Sequence, residues 1–402
     1  MNIHKKFIFY SLIFLSMISP PVIFAEAIYY GRELRSFLAV GLIFYMFLTR
    51  TKFENAQLII FLSLVFILII EILAQRSDIN NILSFYAILL ISFFLFKNFK
   101  NNELKFHTFL NIWLRFSLIL AIFAIISYVI HQFTFFNFDL FDFKSSESFE
   151  RNYPYQMSIF GNTIDKNFGF ITVSRVCSFF NEPLNAGIFF GLNFLLAKIN
   201  RNFIGKKYSF FFLVAGLLTF SVTFYVIFLF LMLREFKLKL NLINFLVLIP
   251  IFSILLLVII SIDVEILKYF ISNTSFNDRL ARETFAFKAM WESPLLKILF
   301  GYGIGNYSKA FPNNEFGYMS TGFTSFLFEY GILTFVVVLI FVLFFLKSRF
   351  DLIIVLSIGL STYPIYRSFI YWYIIILIYF SYINIYNYPN YIVKIIKQEK
   401  KK

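Results

Sequence analysis

The chain has few of the side chains from which most disulfide and metal sites are built. Its 402 residues include one cysteine and three histidines. A single cysteine, Cys177, excludes an internal disulfide, and the histidines, His4, His107 and His131, are too scattered along the chain to indicate a histidine-based metal site. We therefore predict neither a metal nor a cofactor.

Charge is also scarce, because only 14% of the residues are charged whereas 60% are hydrophobic. The mean hydropathy is +0.78, which is more apolar surface than a soluble core can hide. The glycines of 301–305 do not form a phosphate loop, since no Lys-Ser/Thr pair follows them. This composition predicts an all-α integral membrane protein, with residues 1–402 forming a single polytopic membrane domain.

Apolar runs divide the chain into about twelve predicted transmembrane helices. The first run, Phe7–Phe24, follows Lys5 and Lys6 and is compatible with a signal peptide, but we favour a retained first span. We divide 208–233 into two spans at Phe220–Thr223. Several runs are shorter than the roughly 20 residues of an average span and need tilt or flanking residues. The predicted spans are 7–24, 37–48, 56–73, 82–96, 108–130, 184–197, 208–219, 222–233, 242–260, 322–346, 352–363 and 369–384.

The distribution of charge predicts the orientation of these spans in the membrane. With both termini in the cytoplasm, lysines and arginines greatly outnumber acids in the inward segments, and the two signs nearly balance in the outward ones. The net charge of +14 is therefore explained by topology and does not indicate nucleic acid as a partner.

Two predicted outward segments, 131–182 and 261–321, are long enough to carry the function. The first carries Arg151 and Arg175. The second contains Arg279, Arg282 and Glu283 at helical spacing. We expect short interfacial helices in these loops, including one whose apolar side is formed by Leu280, Phe287 and Trp291.

Arg175 and Glu182 lie seven positions apart at the start of the apolar run 184–197. A charge that loses water is costly unless it is paired or binds something, so these residues form either an internal ion pair or a functional site. Pro183 suits the first turn of a helix, where its missing N–H needs no partner. We predict that a helix begins there.

Three segments resemble the O-antigen polymerase and ligase superfamily, the Wzy-like membrane glycosyltransferases of bacteria. They are Arg175–Pro183, Leu299–Tyr307 and Phe326–Leu333. The resemblance covers roughly 170–345 by motif and the remainder only by topology. In the ligase pattern the position of the histidine is occupied here by Ser320, which favours a polymerase.

The resemblance implies a protein of the bacterial cytoplasmic membrane that joins oligosaccharide units at its outer face into O-antigen, capsule or exopolysaccharide. Donor and acceptor are carried on undecaprenyl diphosphate. It also implies contact with membrane lipid and leaves open a chain-length regulator and a flippase as protein partners. The alternatives are a ligase-type transferase and a lipid-linked oligosaccharide flippase or transporter.

Chemistry assigns roles to the charged residues of these segments. Guanidinium groups match phosphate oxygens, so Arg175, Arg279 and Arg282 are the predicted diphosphate-binding residues. Glu182 is the first candidate for the base that accepts the proton of the acceptor hydroxyl, and Glu283 is the second. Further supporting residues are Arg151, Glu329 and Arg367.

Overall fold

The computed structural model describes part of the chain, and every structural statement below concerns that part. The described residues are 3–17, 38–39, 41, 79–100, 105–133, 141–143, 155–158, 161–168, 171–180, 182–235, 285, 288–303, 306, 322–346, 355–356, 358 and 368–387.

The described residues are mostly helical. In chain order the helices are α1 (Ile3–Met17), α2 (Ile79–Lys100), α3 (Phe106–Phe133), α4 (Pro183–Ile199), α5 (Arg201–Ile204), α6 (Lys206–Leu218), α7 (Val222–Glu235), α8 (Leu295–Phe300), α9 (Gly322–Leu346) and α10 (Phe369–Asn387). Helices therefore form at the predicted spans 82–96, 108–130, 184–197, 208–219, 222–233, 322–346 and 369–384 and over much of 7–24. The predicted spans 56–73 and 242–260 lie outside the described residues, as do most of 37–48 and 352–363.

By length and composition, one segment of the described chain, Phe106–Gln132 in α3, is able to cross a membrane. Shorter apolar helices accompany it, among them Pro183–Ile199 and Val222–Met232. The number of twelve spans and their orientation remain predictions.

Helix α4 lies at the centre of the packing. Its side chains are buried on nearly every face, as expected of a helix that is apolar all round. The side chain of Asn193 accepts a 3.0 Å hydrogen bond from the indole nitrogen of Trp113 in α3. Near its end, Asn200 donates a 2.8 Å bond to the hydroxyl of Ser381 in α10. These bonds satisfy amide groups that would be costly to bury alone.

Helices α4 and α10 run in the same direction. The hydroxyl of Tyr371, near the start of α10, donates to the carbonyl of Asn185, near the start of α4, at 3.0 Å. Asn200 and Ser381 meet at the opposite ends of the two helices. The twelve-span prediction assigns the same direction to these two helices.

A four-stranded antiparallel sheet lies between α3 and α4. Its strands are β1 (Phe141–Phe143), β2 (Tyr155–Ser158), β3 (Gly161–Phe168) and β4 (Ile171–Ser178), paired in that order. The pair Phe168 and Ile171 closes a hairpin whose loop is two residues long. The sheet corrects the prediction of an all-α fold with short helices in the loop 131–182. The sheet forms in part because β4 is rich in β-branched residues, which favour strands.

In the second long segment, residues 288–291 are helical and α8 follows them, but α8 contains none of the residues of the predicted interfacial helix. Trp291 lies just before α8 and is 77% exposed. Leu280 and Phe287, the other residues predicted on the apolar side of such a helix, lie outside the described residues.

Candidate functional site

The chain turns sharply from β4 into α4, and this corner carries two of the predicted site residues. The backbone N–H of Phe180 donates to the carbonyl of Cys177 at 3.0 Å and closes the turn. Glu182 then precedes the first helical residue, Pro183, with an extended backbone. Its carbonyl accepts bonds from the N–H groups of Asn185 and Ala186 at 3.1 and 3.3 Å. The predicted start of the helix at Pro183 is therefore confirmed.

Arg175 is oriented by the end of a different helix. It lies in β4, paired with Ile164 of β3, and is half-buried. Its Nε–H donates to the carbonyl oxygen of Thr219 at 3.3 Å. Thr219 caps the C-terminus of α6, where unpaired carbonyls carry partial negative charge. The guanidinium is thus held by a hydrogen bond and by a favourable helix end.

The carbonyl that holds Arg175 belongs to a hydrogen-bonded turn between α6 and α7. The hydroxyl of Thr219 donates to the carbonyl of Gly216 at 2.7 Å and accepts a 3.2 Å bond from the N–H of Ser221. Phe220 between them has a φ of 45°, which is rare for a large side chain. The turn confirms the division of 208–233 into two helices, and it gives Arg175 a fixed partner.

Arg175 and Glu182 both influence the pKa of the same buried thiol, that of Cys177, so the two charges lie in one neighbourhood. Burial raises the pKa of Cys177 well above its ordinary value. Arg175 opposes this shift in pKa because a positive charge favours the thiolate, and Glu182 adds to it. We call Arg175, Cys177, Glu182 and Thr219 the strand–helix corner.

A second feature joins the two other motif segments. The N–H of Tyr302 donates to the carbonyl of Phe328 at 2.8 Å, and the N–H of Gly303 donates to the carbonyl of Glu329 at 3.0 Å. The rings of Tyr302 and Phe328 stack with centroids 4.5 Å apart. Leu299–Gly303 and Phe326–Leu333 therefore form one structural unit, which we call the glycine contact.

Glu329 lies inside this unit and is only 4% exposed. Two residues later, at Gly331, α9 departs from helical geometry, with φ 74° and ψ 173°. The hydrogen bonds from Tyr302 and Gly303 occupy carbonyls that this break would otherwise leave without helical partners. Glu329 is thus a buried acid beside a broken helix, a position that needs compensating contacts.

Several polar groups fix Tyr302 at the glycine contact. Its hydroxyl forms a hydrogen bond with the hydroxyl of Ser293, and its carbonyl accepts a 3.1 Å bond from the side chain of Asn306. The ammonium of Lys297 lies 5.1 Å from the centroid of its ring. These contacts hold Tyr302 in place against the residues on either side of it in the chain.

The other predicted site residues, Arg151, Arg279, Arg282, Glu283 and Arg367, lie outside the described residues. Sequence reasoning did not identify Thr219 as the partner of Arg175. The only signal for it was the polar sequence Ser221–Thr223 beside the predicted break, which places a turn but not a contact. Within the described part of the chain, no group of three or more His, Cys, Asp or Glu residues is arranged to hold a metal ion.

No family model, curated protein or solved structure matches the chain. The strand–helix corner and the glycine contact are therefore the features from which a function can be proposed.

Proposed function

We propose that the chain is a multi-pass membrane glycosyltransferase that polymerises oligosaccharide repeat units carried on undecaprenyl diphosphate. The product is a surface polysaccharide, made at the outer face of the bacterial cytoplasmic membrane. The twelve-span arrangement is part of this proposal. The proposed activity is supported mainly by one observation. The half-buried Arg175 donates a hydrogen bond to the carbonyl of Thr219 and lies in the same neighbourhood as Glu182.

A diphosphate donor requires cationic hydrogen-bond donors at the depth of the lipid headgroups. Arginine suits this requirement because its planar guanidinium carries five N–H donors and stays charged. The bond from Nε to Thr219 restricts the plane of the Arg175 guanidinium. In the proposed site the terminal nitrogens of Arg175 bind oxygens of the donor diphosphate, and Arg279 and Arg282 supply further positive charge.

The proposed reaction exchanges one bond at the anomeric carbon of the donor sugar. The acceptor hydroxyl oxygen forms a bond to that carbon while the bond from the carbon to the diphosphate oxygen breaks. The diphosphate leaves with the electron pair, and Arg175 stabilises its negative charge. Glu182 accepts the hydroxyl proton in this proposal, with Glu283 as the alternative base. No metal ion takes part in the proposed reaction.

The glycine contact supports the same proposal in a different way. Its two segments are distant in sequence, and each belongs to the set of motifs that resembles the polymerases. Their packing against each other brings the backbone of Glu329, a buried residue, into contact with Gly303 of the predicted second outward loop. Glu329 is accordingly proposed as a residue that supports the site, as are Arg151 and Arg367.

Deleting the gene and separating the surface polysaccharide on a gel tests the proposal. A polymerase deletion leaves products with a single repeat unit, and wild-type complementation restores the ladder of longer chains. Polymer that is made but not attached would indicate a ligase-type transferase. Loss of all repeat units from the surface would indicate a flippase. A normal ladder in the deletion strain would exclude all three activities.

A further inference from the structure

A polar cleft lies at the start of α3, before Leu120, where the end of β4 contacts the helix. Its volume is about 300 Å³, and its described lining consists of His107, Thr108, Asn111, Ile112 and Arg115. The spacing of 107, 111 and 115 places these three residues on one face of the helix. Four of the five lining side chains are polar, although they lie in the helix that has the length and composition of a membrane span.

His107 contributes a polar atom that lacks a partner. Its ring packs beside Phe203 of α5, with centroids 5.1 Å apart. Its Nδ1 atom is buried and has no hydrogen-bond partner among the described residues. A buried polar atom in this state costs free energy, and each such atom in a protein calls for an explanation. The ring of His107 also lines the cleft, so this histidine lies between the apolar ring of Phe203 and a polar space.

Arg115 gives the cleft its charge. Its side chain is exposed, and Asn111 one turn before it adds an amide donor and acceptor. Two further exposed cations lie close in sequence to the residues that meet at His107: Lys105 precedes α3, and Arg201 precedes Phe203. This excess of positive charge favours an anion over a neutral or cationic ligand.

The length of α3 allows its first turns to extend beyond the hydrocarbon core of a membrane. The helix has 28 residues and therefore extends about 42 Å, whereas the hydrocarbon core is about 30 Å thick. About two turns of helix remain for the interfacial regions. The cleft occupies the first turns, at the end that the charge pattern assigns to the cytoplasm, and arginine side chains commonly extend towards headgroups from such positions.

We propose that this cleft binds the phosphate group of an anionic phospholipid from the cytoplasmic leaflet. Arg115 donates hydrogen bonds to the phosphate oxygens, and Thr108 and Asn111 donate to the phosphate or to the polar head beyond it. His107 forms part of the wall of the cleft. This inference does not depend on the proposed polymerase activity, because the cleft is formed by the first turns of α3, whereas β4 meets α3 further along, where the hydroxyl of Ser178 donates to the carbonyl of Leu120.

The test measures lipid retained by the purified, full-length protein. Wild type, Arg115→Gln and the control Lys207→Gln are exchanged into zwitterionic detergent, incubated with phosphatidylglycerol or phosphatidylcholine, and analysed by native mass spectrometry. Lys207 is exposed on α6 and does not belong to the described lining of the cleft. We expect wild type and Lys207→Gln to retain one phosphatidylglycerol molecule. Arg115→Gln should bind it about tenfold more weakly, because a charge-assisted contact is lost.

A parallel arm with inorganic phosphate separates the two sources of the ligand. A rise in thermal midpoint with millimolar phosphate that is absent in Arg115→Gln, without lipid retention, would identify the ligand as free phosphate. Equal retention of phosphatidylglycerol in wild type and Arg115→Gln would overturn the proposal. Binding of neither ligand by wild type would do the same. Matching thermal midpoints of the three proteins in detergent alone show that the substitutions leave the fold intact.

Discussion

Gly301 and Gly331 approach each other so closely that neither position has room for a Cβ atom. A Cβ built on Gly301 would lie 2.7 Å from the backbone nitrogen of Gly331, and one built on Gly331 would lie 2.5 Å from the nitrogen of Gly301. Both residues also have positive φ angles, 77° and 74°. The break in α9 and the fold of the preceding segment therefore depend on the same pair.

Gly331→Ala should destabilise the protein more than Gly205→Ala does. Gly205 has a similar backbone, φ 84° and ψ 163°, but no atom of the described residues lies within 4 Å of the position of its Cβ. Both substitutions lower the free energy of unfolding by roughly 1–3 kcal/mol, because only glycine adopts this backbone conformation readily. Gly331→Ala also overpacks the contact, which adds roughly 1–3 kcal/mol. Thermal unfolding in detergent measures the difference, and equal midpoints for the two variants would contradict the close contact.

Much of the helical framework could be predicted from local signals. Pro183 marks the start of α4 because proline suits the first helical turn, and the polar residues after Phe220 mark the division between α6 and α7. The sheet was missed because β1 and β2 are short and the longer β3 shows little alternation of apolar and polar residues. The β-branched residues of β4 and the two-residue loop before it were the available signal. These signals compete with the helical patterns on either side, which predict a loop over 131–182.

For the site, too, the features set by neighbouring residues could be predicted, whereas the contacts between distant segments could not. Arg175 and Glu182 are close in sequence, so a strand-to-helix turn is sufficient to bring them together. The partner of Arg175 is a carbonyl of Thr219, and backbone carbonyls carry no sequence signal. The break at Gly331 was also invisible, because an isolated glycine within an apolar run is ordinary. Its role follows only from Gly301, which approaches from another segment.

The twelve-span arrangement predicts opposite locations for two positions in the sequence. Reporter fusions after Asn241 should report the cytoplasm, and fusions after Asn273 should report the outer side, because the predicted span 242–260 lies between them. Alkaline phosphatase and a fluorescent protein that folds in the cytoplasm form a suitable reporter pair. Identical signals from both positions would contradict the arrangement.

Cys177 should make stability depend on pH in the alkaline range. Burial raises the pKa of its thiol in the folded state, so the folded protein holds this proton more tightly than the unfolded chain does. This contribution to stability is complete below the unfolded pKa, near 8.5, and is lost as pH rises from there towards the folded pKa. The loss approaches about 1.4 kcal/mol per pH unit.

Comparison with Cys177→Ala isolates this effect. The alanine variant loses packing at every pH, but it lacks the titrating thiol. Thermal midpoints measured from pH 7 to pH 10 should therefore fall more steeply for wild type than for the variant. Parallel curves would show that the thiol does not titrate differently in the folded and unfolded proteins.

Arg175→Ala should prevent complementation of the deletion strain while leaving the amount of protein in the membrane unchanged. Loss of a charged hydrogen bond to the diphosphate costs about 1.5–3 kcal/mol, or roughly a tenfold to hundredfold loss of activity. Arg175→Lys should recover only part of this activity, because an ammonium lacks the planar fork and the Nε–H that bonds to Thr219. Lys206→Ala, which removes an exposed charge from α6, is the control. A normal ladder in Arg175→Ala would limit Arg175 to a structural role.

Glu182→Gln tests the proposed base. Glutamine is nearly isosteric with glutamate and preserves the backbone at the start of α4, but its amide does not accept a proton. Among the described residues, the carboxylate of Glu182 makes no capping hydrogen bond to α4, so the substitution should leave the helix start intact. We expect unchanged binding of the donor lipid and a loss of turnover of roughly 10²–10⁴-fold, the usual contribution of a general base. Consumption of donor lipid by purified protein in nanodiscs measures the turnover.

A double substitution distinguishes this role from an ion pair. If Glu182 serves only to pair with Arg175, then Arg175→Gln/Glu182→Gln should be no less active than Arg175→Gln alone, because the partner is already lost. If Glu182 is the base, the double variant should lose activity beyond the single Arg175 variant. Glu292→Gln, which changes an exposed acid outside the proposed site, controls for loss of a carboxylate. Turnover of Glu182→Gln within a few-fold of wild type would end the assignment and leave Glu283 as the remaining candidate, or leave catalysis to stabilisation of the departing diphosphate alone.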